Sequence, residues 1–293
     1  MAIKRSKSDL IFDIVIYTIG VLLIFVIAYP LYFVVIASFS GPSAVAGGDV
    51  WLWPKAVTLE GYKRVFETEE IWLGYRNTIA FTVVGTLISL LFTLPAAYSL
   101  SRKDLVGRKG FMLFFTITMF FNGGLIPTYM VVQSFGLLDT FWVIVLPFSV
   151  SVYNLIVCRT FFMSGVPSDL LEAAQLDGCS NFRFFFTIVI PISKALIAVI
   201  ALYCIVGQWN QYFTSLVYTR DPDLRPLQLV LREILLQNQT KADTAGVGTN
   251  ELQRIADVMK YGVIIVSTLP VLVFYPFIQK YFNQGVMLGS LKG

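Results

Sequence analysis

An all-α membrane protein with six transmembrane helices is the fold class this sequence predicts, on three observations. Hydrophobic residues fill 56% of the 293 positions against 14% charged, and mean hydropathy is +0.73, well above the roughly half-apolar usage of soluble domains. Charged residues are absent from six windows, 14–48, 77–101, 110–138, 140–158, 195–219 and 261–279. Each reaches about 18 residues or more, the length that crosses roughly 30 Å of hydrocarbon as a helix. Buried helices of a soluble protein are the alternative, but six in one chain leave too little polar sequence to cover them. The expected spans are 14–38, 78–101, 111–132, 141–160, 195–218 and 261–280, in a transmembrane domain of 14–282 flanked by ends at 1–13 and 283–293.

The first window follows Lys4, Arg5 and Lys7, and Ala44-Val45-Ala46 imitates a signal-peptide cleavage site. Its apolar run far exceeds the 7–15 residues of a signal core, so it reads as a retained span. The connection RKDLVGRKG (102–110) carries four Lys or Arg, which places it and the N-terminus in the cytoplasm by the positive-inside rule. Six spans then put both termini inside. Segments assigned inside hold 12 Lys or Arg against 6 Asp or Glu, and those outside hold 10 against 12. The basic excess is thus a topology signal for a multi-pass protein of a cytoplasmic membrane, and it implies no nucleic-acid partner.

Several chemistries are excluded. The chain has no histidine, which removes histidine triads, imidazole zinc sites and histidine proton relays. Cys158 and Cys204 lie in expected spans and Cys179 on the cytoplasmic side, a pattern of packing residues rather than a disulfide framework. No GxxxxGK[ST] or GxGxxG phosphate loop occurs. No catalytic group, metal site or cofactor is expected, and any energy source must sit on another subunit.

Between the fourth and fifth spans, the loop 164–192 contains PSDLLEAAQLDG. Pro167 followed by Ser168 and Asp169 offers helix caps, Asp169 and Glu172 have capping-box spacing, and Gly178 suits a left-handed stop. A helix of about nine residues is roughly 13 Å long and needs bracing. Leu170, Leu171, Ala173 and Ala174 are expected to give it an apolar face that a protein surface approaches closely. An amphipathic connector lying on the bilayer is the bland alternative, but such helices carry Lys or Arg, and none occurs between Arg159 and Arg183. The loop reads as a docking knob.

EAA, three residues, Gly178, nine residues, then Ile188-Val189-Ile190-Pro191 resembles the EAA loop of the membrane subunits of ABC importers. NGGLIPTYMVVQSFGLLDT (122–140), YNLIVCRTFF (153–162), WNQYF (209–213), RPLQLVLREIL (225–235) and GVMLGSLKG (285–293) are similar to one branch. This is the carbohydrate-uptake, maltose permease-like family, particularly its polysaccharide and oligosaccharide relatives. The resemblance runs over most of residues 10–293; Cys179 departs from it, standing where a small residue is usual. It implies a type I ABC importer permease fold with a cytoplasmic coupling helix at the EAA loop. Glu172, Ala173, Ala174 and Gly178, with Leu170 and Leu171, would seat in the cleft of an ATPase. The tail at Gly285, Gly289 and Lys292 would reach toward the same ATPase. Implied partners are a sister permease in a heterodimer, two copies of the ATPase, which bind ATP and Mg, and an extracytoplasmic solute-binding protein, all at the lipid bilayer of a bacterial cytoplasmic membrane.

The solute path is expected among polar groups that a bilayer otherwise rejects. Gln208, Trp209, Asn210, Gln211 and Tyr212 fall near the middle of the fifth window, and Asn122, Tyr129 and Asn154 lie in neighbouring spans. Amides suit sugar hydroxyls and rings suit sugar faces, although polar side chains also simply join membrane helices. No charge lies deep in any window, which favours a neutral solute. An acidic oligosaccharide stays open, with the partner permease or loop arginines such as Arg220 and Arg225 to offset its charge. Outside, WLWP (51–54) and the polar segment 219–260, with TKADTAGVGTN, offer a receptor for the binding protein. Import of a non-sugar solute and a membrane enzyme such as a glycosyltransferase are the alternatives.

Overall fold

The computed structural model describes residues 7–244, 259–273 and 276. Every regular element among them is helical. The chain divides into two compact units, residues 1–69 with 233–269 and residues 70–232 with 270–293.

The first unit is built on α1 (Lys7–Ser38). The most apolar stretch of α1 is entirely unburied within the chain, as befits a helix that is hydrophobic all round and meets lipid or another chain. Its far end is tied down by side chains. The Tyr29 hydroxyl donates to the Trp51 carbonyl at 3.3 Å, the Tyr32 hydroxyl bonds the Leu52 carbonyl, and the hydroxyls of Ser38 and Tyr62 lie 2.7 Å apart. Beyond α2 (Pro42–Ala46), Trp51 and Trp53 of the WLWP patch stand exposed, and α3 (Glu60–Glu67) buries Val65 while its polar face pairs Arg64 with Glu60 at 3.2 Å. The Met259–Val273 helix crosses α3 where two glycines meet: a Cβ on Gly262 would stand 3.6 Å from the Gly61 backbone.

The second unit is organised by α4 (Glu69–Ser101). Ile79, Val83, Leu87 and Leu91 form an exposed stripe at four-residue intervals, while Thr78, Thr82, Gly85, Thr86, Ser89, Thr93 and Ala97 are buried on the opposite side. Small residues let neighbouring helices close in, as in membrane helix packing generally. Near the Ser101 end of α4, Leu94, Ala97 and Tyr98 join a core with Leu155, Phe162, Phe184, Val189 and Ile200. A smaller core near the other end holds Phe81, Val132, Val143, Val145 and Tyr218.

Three expected spans are not single helices. The third is α5 (Arg108–Phe120) and α6 (Leu125–Ser134), bent by 118° at residues 121–124, where Gly124 takes φ +85. The fourth stops at Val145 after α7 (Phe141–Val145) and resumes as α8 (Val152–Gly165). The fifth is α12 (Lys194–Trp209) and α13 (Phe213–Tyr218), interrupted at 210–212. Two helices, α1 and α4, cross a bilayer by length and composition alone, and up to four segments do so if each bent pair is one span. The breaks coincide with Gly123-Gly124, with Pro147 and Ser149, and with Asn210, residues that weaken a helix or compete for its backbone bonds. The polar segment 219–260 also departs from the expected loop, since residues Leu227–Thr244 form helix α14; residues 245–258 and the tail with Gly285, Gly289 and Lys292 lie outside the described residues.

Asp139 fastens two of the connections. It sits at φ +58, and its carboxylate accepts from the amides of Arg220 and Asp221, both at 2.8 Å. The Asp221 amide first, and then that of Arg220, hold the carboxyl below its ordinary range. A lowered carboxylate pKa contributes stability above the unfolded value and loses it as pH falls through the folded value, so the clamp is in place at neutral pH. Asp139→Ala removes the acceptor and leaves a residue poorly suited to positive φ, whereas Asn keeps an acceptor and tolerates that backbone. Thermal melting of the purified complex at pH 7 is expected to drop clearly for Asp139→Ala and much less for Asp139→Asn.

Candidate functional site

The EAA segment forms α9 (Ser168–Leu176). Its start differs from expectation. Pro167 is the N-cap and makes no side-chain cap, and the Ser168 hydroxyl instead reaches the Asp169 carboxylate at 3.3 Å. With Pro167 at the N-cap, Ser168 and Asp169 fall inside the helix, where neither caps it. No Asp169–Glu172 capping box forms, although Asp169 remains in the first turn, where the helix dipole favours it. The other end matches: Gly178 has φ +71, its amide donates to the Gln175 carbonyl at 3.0 Å, and Cys179 donates to Ala174 at 2.8 Å. That pair of bonds is a Schellman stop.

The four residues expected on one apolar face separate into two. Ala174 is buried in the core around Tyr98, with Leu171 packed against it, while Leu170, Ala173 and the 90% exposed Leu176 face outward beside Glu172. Downstream, α10 (Asn181–Phe184), a π-helical turn over Phe185–Val189 and α11 (Ile190–Ile192) form one segment, bent 83° from α12 at Ser193. Phe184, Phe185 and Val189 enter the same core. Arg102 secures this segment to the end of α4, donating to the Asn181 side-chain oxygen at 3.0 Å and the Tyr98 hydroxyl at 3.2 Å while pairing with Asp104. The Arg102 guanidinium, first by hydrogen bonding, draws the largely exposed Asp104 carboxyl below its usual range.

A second feature is a cavity of about 370 Å³. Gln208, Asn210, Gln211 and Tyr212 line it from the α12–α13 link, Asn154 and Ser151 from α8, and Ser89 from α4. Its wall mixes these amides and hydroxyls with Phe148, Tyr203 and Phe213 and holds no carboxylate. Ser89, Cys204 and Asn154 form a polar chain along it, with Ser89 Oγ 3.1 Å from Cys204 Sγ and Asn154 Nδ2 3.9 Å from the same sulfur. Gln208 reaches over Gly85 of α4: a Cβ there would fall 2.8 Å from Gln208 Nε2. Gln208 Oε1 is buried with no hydrogen-bond partner among the described residues, so an acceptor waits beside the cavity.

Of the seven path candidates, Asn154, Gln208, Asn210 and Tyr212 meet in this cavity, and three do not. Trp209 points the other way. It is 6% exposed, lies 6.3 Å from the Tyr75 ring, and helps line an apolar pocket of about 620 Å³ with Ile79, Val83 and Leu202. Adjacent helix positions diverge by about 100°, so Gln208 and Trp209 cannot share a wall. Asn122 Oδ1 accepts from the Gly124 amide at 2.8 Å and shapes the α5–α6 break. Tyr129 stacks on Tyr218 at 5.7 Å, and Tyr218 in turn packs against Phe148 of the cavity wall. The sequence reading missed Ser89, Ser149, Ser151, Tyr203 and Thr214, because small hydroxyls and tyrosines in apolar windows resemble ordinary packing residues.

Residues 71–288 match the family described as binding-protein-dependent transport system inner membrane component. The chain belongs to this family. It is 38% identical to the polygalacturonan/rhamnogalacturonan transport system permease protein YtcP of Bacillus subtilis, over 97% of this chain and 99% of that one. It is 37% identical to protein LplC of the same organism, over 99% and 97%. Among solved structures it is similar to a chain of a bacterial ABC transporter involved in the import of the acidic polysaccharide alginate, with TM-score 0.87, 31% identity and coverage of 96% and 100%. The protein is therefore a permease subunit of an ABC importer with the type I permease fold, a transport component and not an enzyme. Such a subunit works with an ATPase and a solute-binding protein.

The two sides of α12 separate in substitution. Trp209→Ala removes a buried ring, a loss on the order of 3 kcal/mol, and is expected to lower the melting temperature and yield of the complex. Gln208→Ala is expected to lower yield much less than Trp209→Ala and to weaken solute-stimulated transport about five- to tenfold, the scale of one polar contact; uptake measured against the amount of assembled complex distinguishes the two.

Proposed function

We propose that this permease conducts an oligosaccharide, or a related polar sugar, through the Gln208 cavity by alternating access, driven by ATP hydrolysis on a partner subunit. The observation that carries the reading is the cavity itself, an amide-, hydroxyl- and tyrosine-lined space where the fifth window should be most apolar. Amide and hydroxyl groups pair with sugar hydroxyls, and Tyr203 and Tyr212 offer rings for apolar sugar faces. The names of similar permeases support a carbohydrate cargo: polygalacturonan and rhamnogalacturonan, arabinooligosaccharides, galactooligosaccharides and maltodextrin.

The chain crosses the cytoplasmic membrane six times with both termini inside, and 1–13 and 283–293 flank the membrane domain. The basic connection 102–110 supports this orientation, and α1 and α4 are long and apolar enough to be two of the crossings. It forms a heterodimer with a sister permease, so each chain supplies half of the pathway. Two copies of a cytoplasmic ATPase bind ATP and Mg, and a solute-binding protein delivers cargo from outside. In this arrangement α9 is the coupling helix. Leu170, Ala173 and Leu176 enter the ATPase cleft, with Glu172 alongside, while Leu171 and Ala174 carry the motion into the permease core. The tail with Gly285, Gly289 and Lys292 reaches toward the same subunit.

The direct test is to tag this chain, purify it in mild detergent from its native membranes and determine what is bound at fixed stoichiometry. One similar permease and two ATPase copies are expected, with hydrolysis stimulated by an oligosaccharide-loaded binding protein. Recovery of a homomer without ATPase would sink the coupling assignment.

Gly178 gives a second test. Its positive φ costs other residues about 1–2 kcal/mol, and no heavy atom within 4 Å would clash with a Cβ there. Gly178→Val is therefore expected to distort the end of α9 yet leave the membrane domain assembled. Uptake should fall strongly while the complex still forms; normal uptake counts against α9 as the coupling element.

A further inference from the structure

We propose that Arg232 is a charge-reading residue at the edge of the solute cavity and that the cargo is an acidic oligosaccharide whose carboxylates it pairs. This rests on the cavity of Gln208 being the solute path. The Arg232 guanidinium lies over the Tyr212 ring, 5.7 Å from its centroid, and Tyr212 lines the cavity. No carboxylate of the described residues pairs with Arg232, and the ring contact is its single interaction among them. An arginine with no counter-ion among the described residues, half-buried over the ring of a cavity-lining tyrosine, has guanidinium donors open to an anion that reaches the cavity.

Its position is built by the fold. Residue 227 is seated on α4, its amide donating to Thr78 Oγ1 at 2.8 Å and its Cα so close that a Cβ on Gly74 would fall 2.9 Å away. Asn77 Nδ2 clamps the preceding turn through the carbonyls of Asp223 at 2.6 Å and Arg225 at 3.0 Å. Leu229, Val230 and Leu231 are buried, and Arg232 is the first charged residue of α14. The guanidinium presents a planar fork of N–H donors, and its contact with the ring leaves that fork able to bind a carboxylate bidentately. A neutral sugar offers this group only hydroxyl oxygens, whereas a uronate presents one carboxylate per ring and so a charge-assisted, bidentate pair. The cavity wall, free of fixed negative charge, supplies hydroxyl partners for the rest of the sugar.

The test uses the complete transporter, purified through a tag on this chain, in proteoliposomes with its binding protein. Three probes are compared: trigalacturonate, the same trimer with its carboxyls methyl-esterified to remove the charge, and neutral maltotriose. In the wild type the acid is expected to stimulate ATP hydrolysis at about tenfold lower concentration than the ester, an advantage that shrinks as salt is raised. Arg232→Gln is expected to raise the ratio of half-saturating acid to ester about tenfold, with Arg232→Lys between. An unchanged ratio in Arg232→Gln overturns the proposal, as does a wild type that responds to the ester and a neutral maltotriose but shows neither salt-sensitive binding nor a preference for the acid. If Arg232→Gln fails to assemble, Arg232→Lys decides in its place: a ratio unchanged from the wild type overturns the proposal. A wild type that responds to none of the three sugars overturns the oligosaccharide reading itself, a separate failure.

Discussion

Closure of α12 onto α4 at Gly85 is the contact on which the second unit depends. A glycine there lets the Gln208 amide occupy the volume that any side chain would fill. The same approach brings Cys204 to Ser89 and, through Cys204, Asn154 of α8 into the group. Three helices thus meet through small and polar residues rather than through large apolar ones. In a bilayer, where lipid tails are as apolar as leucine, van der Waals fit and internal hydrogen bonds are what hold helices together. The exposed stripe of Ile79, Val83, Leu87 and Leu91 on the far side of α4 is left for lipid or a partner chain.

The helix breaks follow from the same constraint. Unpaired backbone groups are not tolerated against lipid and persist only where protein or a water-filled cavity receives them. The 210–212 interruption lies on the cavity wall, and so does part of the 146–151 interruption, through Phe148, Ser149 and Ser151. Side chains satisfy part of the freed backbone, since Asn210 Nδ2 donates back to the Val206 carbonyl at 2.9 Å and Ser151 caps the restart of α8. Irregular backbone and polar lining are therefore one feature, and it is the feature a path for a hydrophilic solute requires.

A continuous run of packed side chains joins α9 to the cavity. Ala174 and Leu171 root α9 in a core shared with Phe184, Phe185 and Val189, and Ile200 of α12 belongs to it as well. The π-helical turn and the 83° bend at Ser193 lie between. From Lys194, α12 runs about 20 Å, at 1.5 Å per residue, to Gln208. α9 and the cavity are thus connected through packed side chains and one helix, and Arg102 ties Asn181 of α10 to Tyr98 near the end of α4.

The sequence by itself determined the class, the membrane windows, the short helix at 168–176, its glycine stop and the family, because these rest on local signals: unbroken apolar length, turn chemistry and a spaced motif. It also pointed to the amides at 208–212 as foreign to a bilayer. Which way each of those residues faces was not legible. Gln208 and Trp209 are neighbours in sequence and point into different spaces, Ala174 is buried while Ala173 is exposed, and Asn122 shapes a turn instead of a cavity. Arg232 lay in a segment that reads as loop, and α14 carries it to Tyr212. Composition cannot report these placements, since a helix with polar and apolar residues interspersed has no face until its neighbours pack: the Tyr98 core takes Ala174, the turn at Gly124 takes Asn122, and the close approaches at Gly85, Gly74 and Thr78 fix Gln208 and the start of α14.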